Sequence, residues 1–111
     1  AMVSQFVYAG YDVHITKKDF WADENGPCIS HEEWNNYVTT DSQIQRDNKN
    51  STNDFLVRLE LEQFPIWYNP YLCEIYTKNP SENAINKLIK ISEVLDARVQ
   101  GDDGESYPLT P

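Results

Sequence analysis

A two-layer α+β domain is predicted, with a mainly antiparallel sheet of four to five strands, two helices and the order β-α-β-β-β-α-β. Three features of the sequence carry this expectation. Two-residue alternation of apolar and polar side chains marks the start, the middle and the end of the chain. Two stretches with apolar residues three and four apart separate those segments. Gly, Pro and Asn punctuate the joints between them. With 111 residues the chain has the length of one domain. Residues 11–107 are read as that domain, 1–10 as disordered or tag-derived, and 108–111 as a loose tail.

The first strand is Tyr11 to Lys17, where Tyr11, Val13 and Ile15 alternate with Asp12, His14 and Thr16. A loop with Gly26-Pro27 leads to Ser30-His31-Glu32-Glu33, a capping box in which Ser30 and Glu33 satisfy each other's backbone amides. The helix that follows presents Trp34, Tyr37 and Val38 on one side and is expected to end near Thr40-Asp41. Gln43 to Arg46 is compatible with a short strand, and Asp47 to Asp54 is a polar loop. Phe55 to Glu62 alternates as a strand, Pro65 interrupts before Ile66-Trp67-Tyr68, and Asn69-Pro70 marks a turn. Tyr71 to Thr77 supplies a further strand of an antiparallel meander. Asn79 as cap, with Pro80 at the first helical position and Glu82 at the third, opens the second helix. Its stripe is Ala84, Leu88, Ile91 and Leu95. Ala97 to Gln100 forms the last strand, and the tail from Ser106 is expected to be loosely held.

Eighteen Asp and Glu against nine Lys and Arg give a net charge of −9. That balance argues against nucleic-acid binding, which needs clustered cations. No apolar run is long enough to span a bilayer, so no membrane partner is expected. The first ten residues lack the charge and apolar core of a secretory signal, which makes the cytoplasm the expected compartment. Reduced thiols are therefore the preferred reading at Cys28 and Cys73, with a single bridge between them as the alternative. The aromatic residues are the more informative feature. Trp21, Trp67, Tyr68 and Tyr71 fall at strand ends and loops, where large rigid rings anchor protein interfaces. Asp23 and Glu24 beside Trp21, and the loop acids Asp102, Asp103 and Glu105, would steer a basic partner toward them.

Catalytic signatures are thin. Asp47 to Asp54 fails as a calcium loop at Lys49, Thr52 and Arg58. Cys28, His31 and Glu32 lie close in sequence, yet His31 in a capping box reads as a solvent-facing helix residue. The glycines are scattered, so no phosphate-binding loop is present. No catalytic residue, metal ligand or cofactor is expected. Two readings stand beside partner binding: a regulatory or assembly module, and a small metal-assisted hydrolase using Asp102, Asp103 and Glu105 with His14.

Tyr11-Asp12-Val13-His14-Ile15-Thr16, Phe20-Trp21, Ile29-Ser30 through Glu33-Trp34, Ile75-Tyr76-Thr77-Lys78-Asn79-Pro80, and Ala97 through Glu105 together carry a resemblance. They are similar to a group of small bacterial proteins found beside polymorphic toxin genes. The resemblance implies an immunity protein that binds and neutralises a cognate antibacterial toxin by occlusion. It brings no catalytic motif with it.

Overall fold

A computed structural model describes residues 10–109. The chain runs β1 (Asp12–Thr16), α1 (His31–Thr40), β2 (Ile44–Arg46), β3 (Asp54–Arg58), β4 (Gln63–Asn69), β5 (Glu74–Lys78), α2 (Glu82–Leu95), β6 (Arg98–Gly101) and β7 (Ser106–Tyr107). All neighbouring strands pair antiparallel, in the spatial order β2-β3-β4-β5-β1-β6-β7. The fold is α+β, as expected. The sheet is larger than the expected four to five strands, because Ile44–Arg46 pairs fully with β3 and the start of the supposed tail pairs with β6. Ser106 and Tyr107 are thus part of the sheet. The expectation for residues 1–10 falls on residues outside the described ones, apart from Gly10.

One face of the sheet carries Val13, Ile15, Phe55, Val57, Ile66, Tyr68, Ile75 and Val99, all buried. Both helices cover that face. α1 contributes Trp34 and Val38, and α2 contributes Ala84, Leu88, Ile91 and Leu95. Ser30 caps α1 through the amide of Glu33, as its capping box requires. The cap of α2 is Ser81, which accepts from the Ala84 amide, and not Asn79. Asn79 instead takes a left-handed backbone with φ 46°, which asparagine tolerates better than most residues. Its side-chain oxygen accepts the Tyr11 amide, so it ties the start of α2 to the start of β1.

Pro65 does not end a strand. It lies inside β4 opposite Leu56 of β3. The Tyr68 amide donates to Asn53 on the β3 side, so the odd-numbered amides of β4 face β5. The β4–β5 ladder stops at Trp67, and the N–H that Pro65 lacks is not needed there. Thr77 Oγ1 donates to the Pro65 carbonyl at 2.7 Å and closes the gap.

Asp41 joins the two helices. Its carboxylate accepts from Lys87 Nζ of α2 at 2.8 Å, from the Tyr37 hydroxyl and from the Gln43 amide. Burial alone would raise its pKa, but these donors outweigh burial and hold the carboxyl below its ordinary value. A folded pKa below the unfolded one gives stability that is complete above the ordinary carboxylate range. That stability is lost as pH falls through the folded value. Asp41→Asn is therefore expected to cost roughly 2 kcal/mol at neutral pH. The gap from wild type should close on acidification, as urea midpoints at the two pH values will show.

Candidate functional site

None of the helices among the described residues lies over the other face of the sheet. Along it run Trp67 of β4, Tyr76 of β5 and His14 of β1, residues brought into line by the register Trp67↔Tyr76 and His14↔Tyr76. Trp67 and Tyr76 have ring centroids 5.2 Å apart, and Tyr76 and His14 are 6.4 Å apart. The row continues into the loop after β1. Trp21 stacks on the His14 imidazole at 3.8 Å with the planes 7° apart, and Phe20 lies 5.6 Å beyond.

That loop is folded back over the sheet by polar contacts. Gln100 of β6, 3% exposed, accepts the Trp21 amide at 2.9 Å and donates to the Asp19 carbonyl. The Trp21 indole N–H donates to the Asp102 carbonyl at 3.0 Å. Lys18, also buried, donates its ammonium to the Asp23 carbonyl. Phe20 lies against Gly104, whose φ of 84° and lack of a side chain permit the approach. The loops holding Trp21 and Asp102, about 80 residues apart in sequence, thus form one surface. Asp19, Asp23, Glu24 and Asp103 are exposed on it.

The sequence-predicted contact residues divide accordingly. Trp21 and Asp102 meet, Asp23 and Glu24 are exposed on the loop of Trp21, Asp103 is exposed on the loop of Asp102, and Trp67 lies in the same ring row. The turn carrying Tyr71, itself 92% exposed, borders the same small pocket as Trp21 through Asn69 and Leu72. Tyr68 points the other way. It is 5% exposed on the helix-covered face and donates its hydroxyl to the Ile29 carbonyl, so it is removed from the contact set. Glu105 accepts the Asp103 amide and lines a different pocket beside Tyr11 and Tyr107. The three carboxylates of the 102–105 loop therefore do not converge on His14; only Asp102 reaches it.

Beneath Trp21 lies a buried constellation that spacing did not reveal. His14 Nδ1 is 2.6 Å from Glu74 Oε2 of β5, and His14 Nε2 is 3.0 Å from Asp102 Oδ1. His14 is 2% and Glu74 1% exposed. Burial lowers the His14 pKa, but the hydrogen bonds and charges of Glu74 and Asp102 outweigh it and leave the imidazole above its ordinary value. Burial pushes the Glu74 carboxyl up against the opposing pull of His14 and Lys18. Asp12 completes the group: its amide donates to Asp102 Oδ2 and its carboxylate pairs with Lys78. One ligand atom each from Asp12, His14 and Asp102 lie within 4.8 Å of one another, so among the described residues these three could together hold a metal ion. The Asp12-His14-Thr16 alternation was a visible signal, but Glu74 amid aromatic residues became meaningful only with the β1–β5 register.

The two cysteines are paired. Cys28, before α1, is bonded to Cys73, before β5, with Cα atoms 5.2 Å apart. This corrects the expectation of reduced thiols, and it removes Cys28 from any nucleophilic arrangement with His31. His31 is exposed and stacks on Tyr68 at 4.7 Å. No helix among the described residues is long and apolar enough to cross a membrane. Comparison with known protein families, with curated proteins and with solved structures finds no match.

Proposed function

We propose that this chain is an immunity protein that binds a basic antibacterial toxin, such as a nuclease, and occludes its substrate cleft. The observation that carries this reading is the convergence of the 19–24 and 102–103 segments on the helix-free face. There a row of rings, with exposed carboxylates on the same loops, is held by hydrogen bonds to the buried Gln100 side chain and the Asp102 carbonyl. Such a face combines the rigid aromatic anchors of an interface with the charge that speeds capture of a cationic partner. The net charge of −9 acts in the same direction. The reading places the protein in the cytoplasm with its toxin, where the Cys28–Cys73 bond would meet a reducing environment.

Co-expression with an effector domain encoded beside this chain's gene tests the proposal. Wild type is expected to restore growth. A variant with Asp19→Lys, Asp23→Lys and Glu24→Lys, all at exposed positions, is expected to fold and fail to protect. Growth arrest with wild type present, for every neighbouring effector, would refute it.

A further inference from the structure

The geometry points to a divalent transition-metal site formed by Asp12, His14 and Asp102, with Glu74 as the residue that positions the imidazole. The argument begins with Glu74. A carboxylate on Nδ1 fixes a histidine ring and its tautomer, with Nδ1 protonated, and such carboxylate–histidine pairs are the usual support of metal-bound imidazoles. His14 Nε2 then faces Asp102 Oδ1 at 3.0 Å. Two lone pairs at that distance repel unless a positive charge lies between them, and that charge is either a proton or a metal ion.

Three observations favour the ion. Metal bonds of about 2.1 Å set at right angles place their donor atoms about 3.0 Å apart, so the two ligands need little movement. Asp12 supplies a third donor within 4.8 Å, on the same strand face as His14. Glu74 Oε1 is buried without a hydrogen-bond partner among the described residues, and Glu74 lines the same pocket, of about 210 Å³, as Asp12 and His14. Two carboxylates, Asp12 and Asp102, thus flank Nε2, and Lys78 is the cation paired with Asp12. The Lys78 side chain is 53% exposed and can turn to solvent when an ion takes Asp12. An imidazole with two carboxylates suits zinc or manganese better than calcium, which prefers a shell of six to eight oxygens. The open pocket leaves room for water as the remaining ligands. The ion would join β1 to the 102–105 loop and so fix the surface on which Trp21 rests.

This inference does not depend on toxin binding, because its test uses the metal alone. The full chain, stripped with chelator, is titrated with zinc or manganese chloride by calorimetry and in thermal melts. One ion per chain is expected. The melting temperature should rise by roughly 10 °C at about a hundredfold excess over Kd. Glu74→Gln should weaken binding by roughly 10–100-fold, and Asp12→Asn or Asp102→Asn by more. Asp103→Asn, an exposed acid outside the ligand set, should bind like wild type. Absence of heat and of any thermal shift with both metals would overturn the site, as would unchanged affinity in the Asp12 and Asp102 variants. If those variants do not fold, nitrogen chemical shifts of His14 in the wild-type protein decide. A metal-bound Nε2 supports the site, and a ring still protonated at both nitrogens under saturating metal refutes it.

Discussion

Trp34→Ala is expected to remove most of the stability of this protein, with a loss of about 3–5 kcal/mol. Trp34 is the largest fully buried side chain, 0% exposed at the centre of α1. It meets Phe55 edge-on at 5.4 Å and Tyr37 at 5.8 Å, so it joins the first helix to the far half of the sheet. Truncation leaves a cavity bounded by β-strands that cannot collapse into it. A domain of this length has roughly 5–15 kcal/mol in total, so the variant should lie near its unfolding threshold. Trp34→Phe gives the informative contrast. The indole N–H has no acceptor among the described residues, and losing an unsatisfied donor recovers part of the lost packing energy. The phenylalanine variant should therefore retain a cooperative urea transition much closer to wild type. A Trp34→Ala protein with an unchanged midpoint would mean that α1 is not seated as described.

Opening the Cys28–Cys73 bond is expected to cost up to about 4 kcal/mol, the chain-entropy value for a loop of about this length. The two residues are 45 positions apart, and the loop they close contains α1, β2, β3 and β4. Cys73 also takes a left-handed backbone, with φ 47°, a conformation that costs a non-glycine residue energy. Other contacts fasten the same two segments. The Ile29 amide donates to the Cys73 carbonyl, and Tyr68 donates to Ile29. The reduced protein should consequently keep its fold with a lower denaturation midpoint and a somewhat steeper slope, because its unfolded chain is released from the cross-link. Cys28→Ser with Cys73→Ser should behave the same way with or without reductant. Equal midpoints for the oxidised and reduced protein would contradict this account.

The elements that could be read from the residues are those with local causes. The Ser30 capping box set the start of α1, and the Ala84-Leu88-Ile91-Leu95 stripe set the buried side of α2. Alternation in Asp12–Thr16 located β1 without showing that it lies between β5 and β6, paired on both sides. That central position buries His14, which a half-exposed strand would have left in solvent. It also brings together His14, Glu74 and Asp102, groups separated by 60 and 88 residues. The α2 cap was misread because Asn79 and Ser81 are both competent caps, and only the contact of Asn79 with Tyr11 decides between them. Ser106–Tyr107 looked like a tail since two residues carry no periodicity; their strand exists because β6 offers a free edge. The ring row is a property of register and was invisible to spacing, whereas the choice of Trp21, Asp23 and Glu24 with Asp102, Asp103 and Glu105 rested on residue type and a place in loops.

Under the proposed immunity function, the association rate between this chain and candidate effector domains from neighbouring genes, followed as ionic strength increases, tests the central claim most directly. A one-to-one complex is expected whose on-rate falls steeply with salt. Replacing Asp19, Asp23 and Glu24 with lysine should slow it by about 10-fold or more at low salt. No complex, or one indifferent to both salt and these substitutions, would contradict the assignment of the helix-free face as the docking surface.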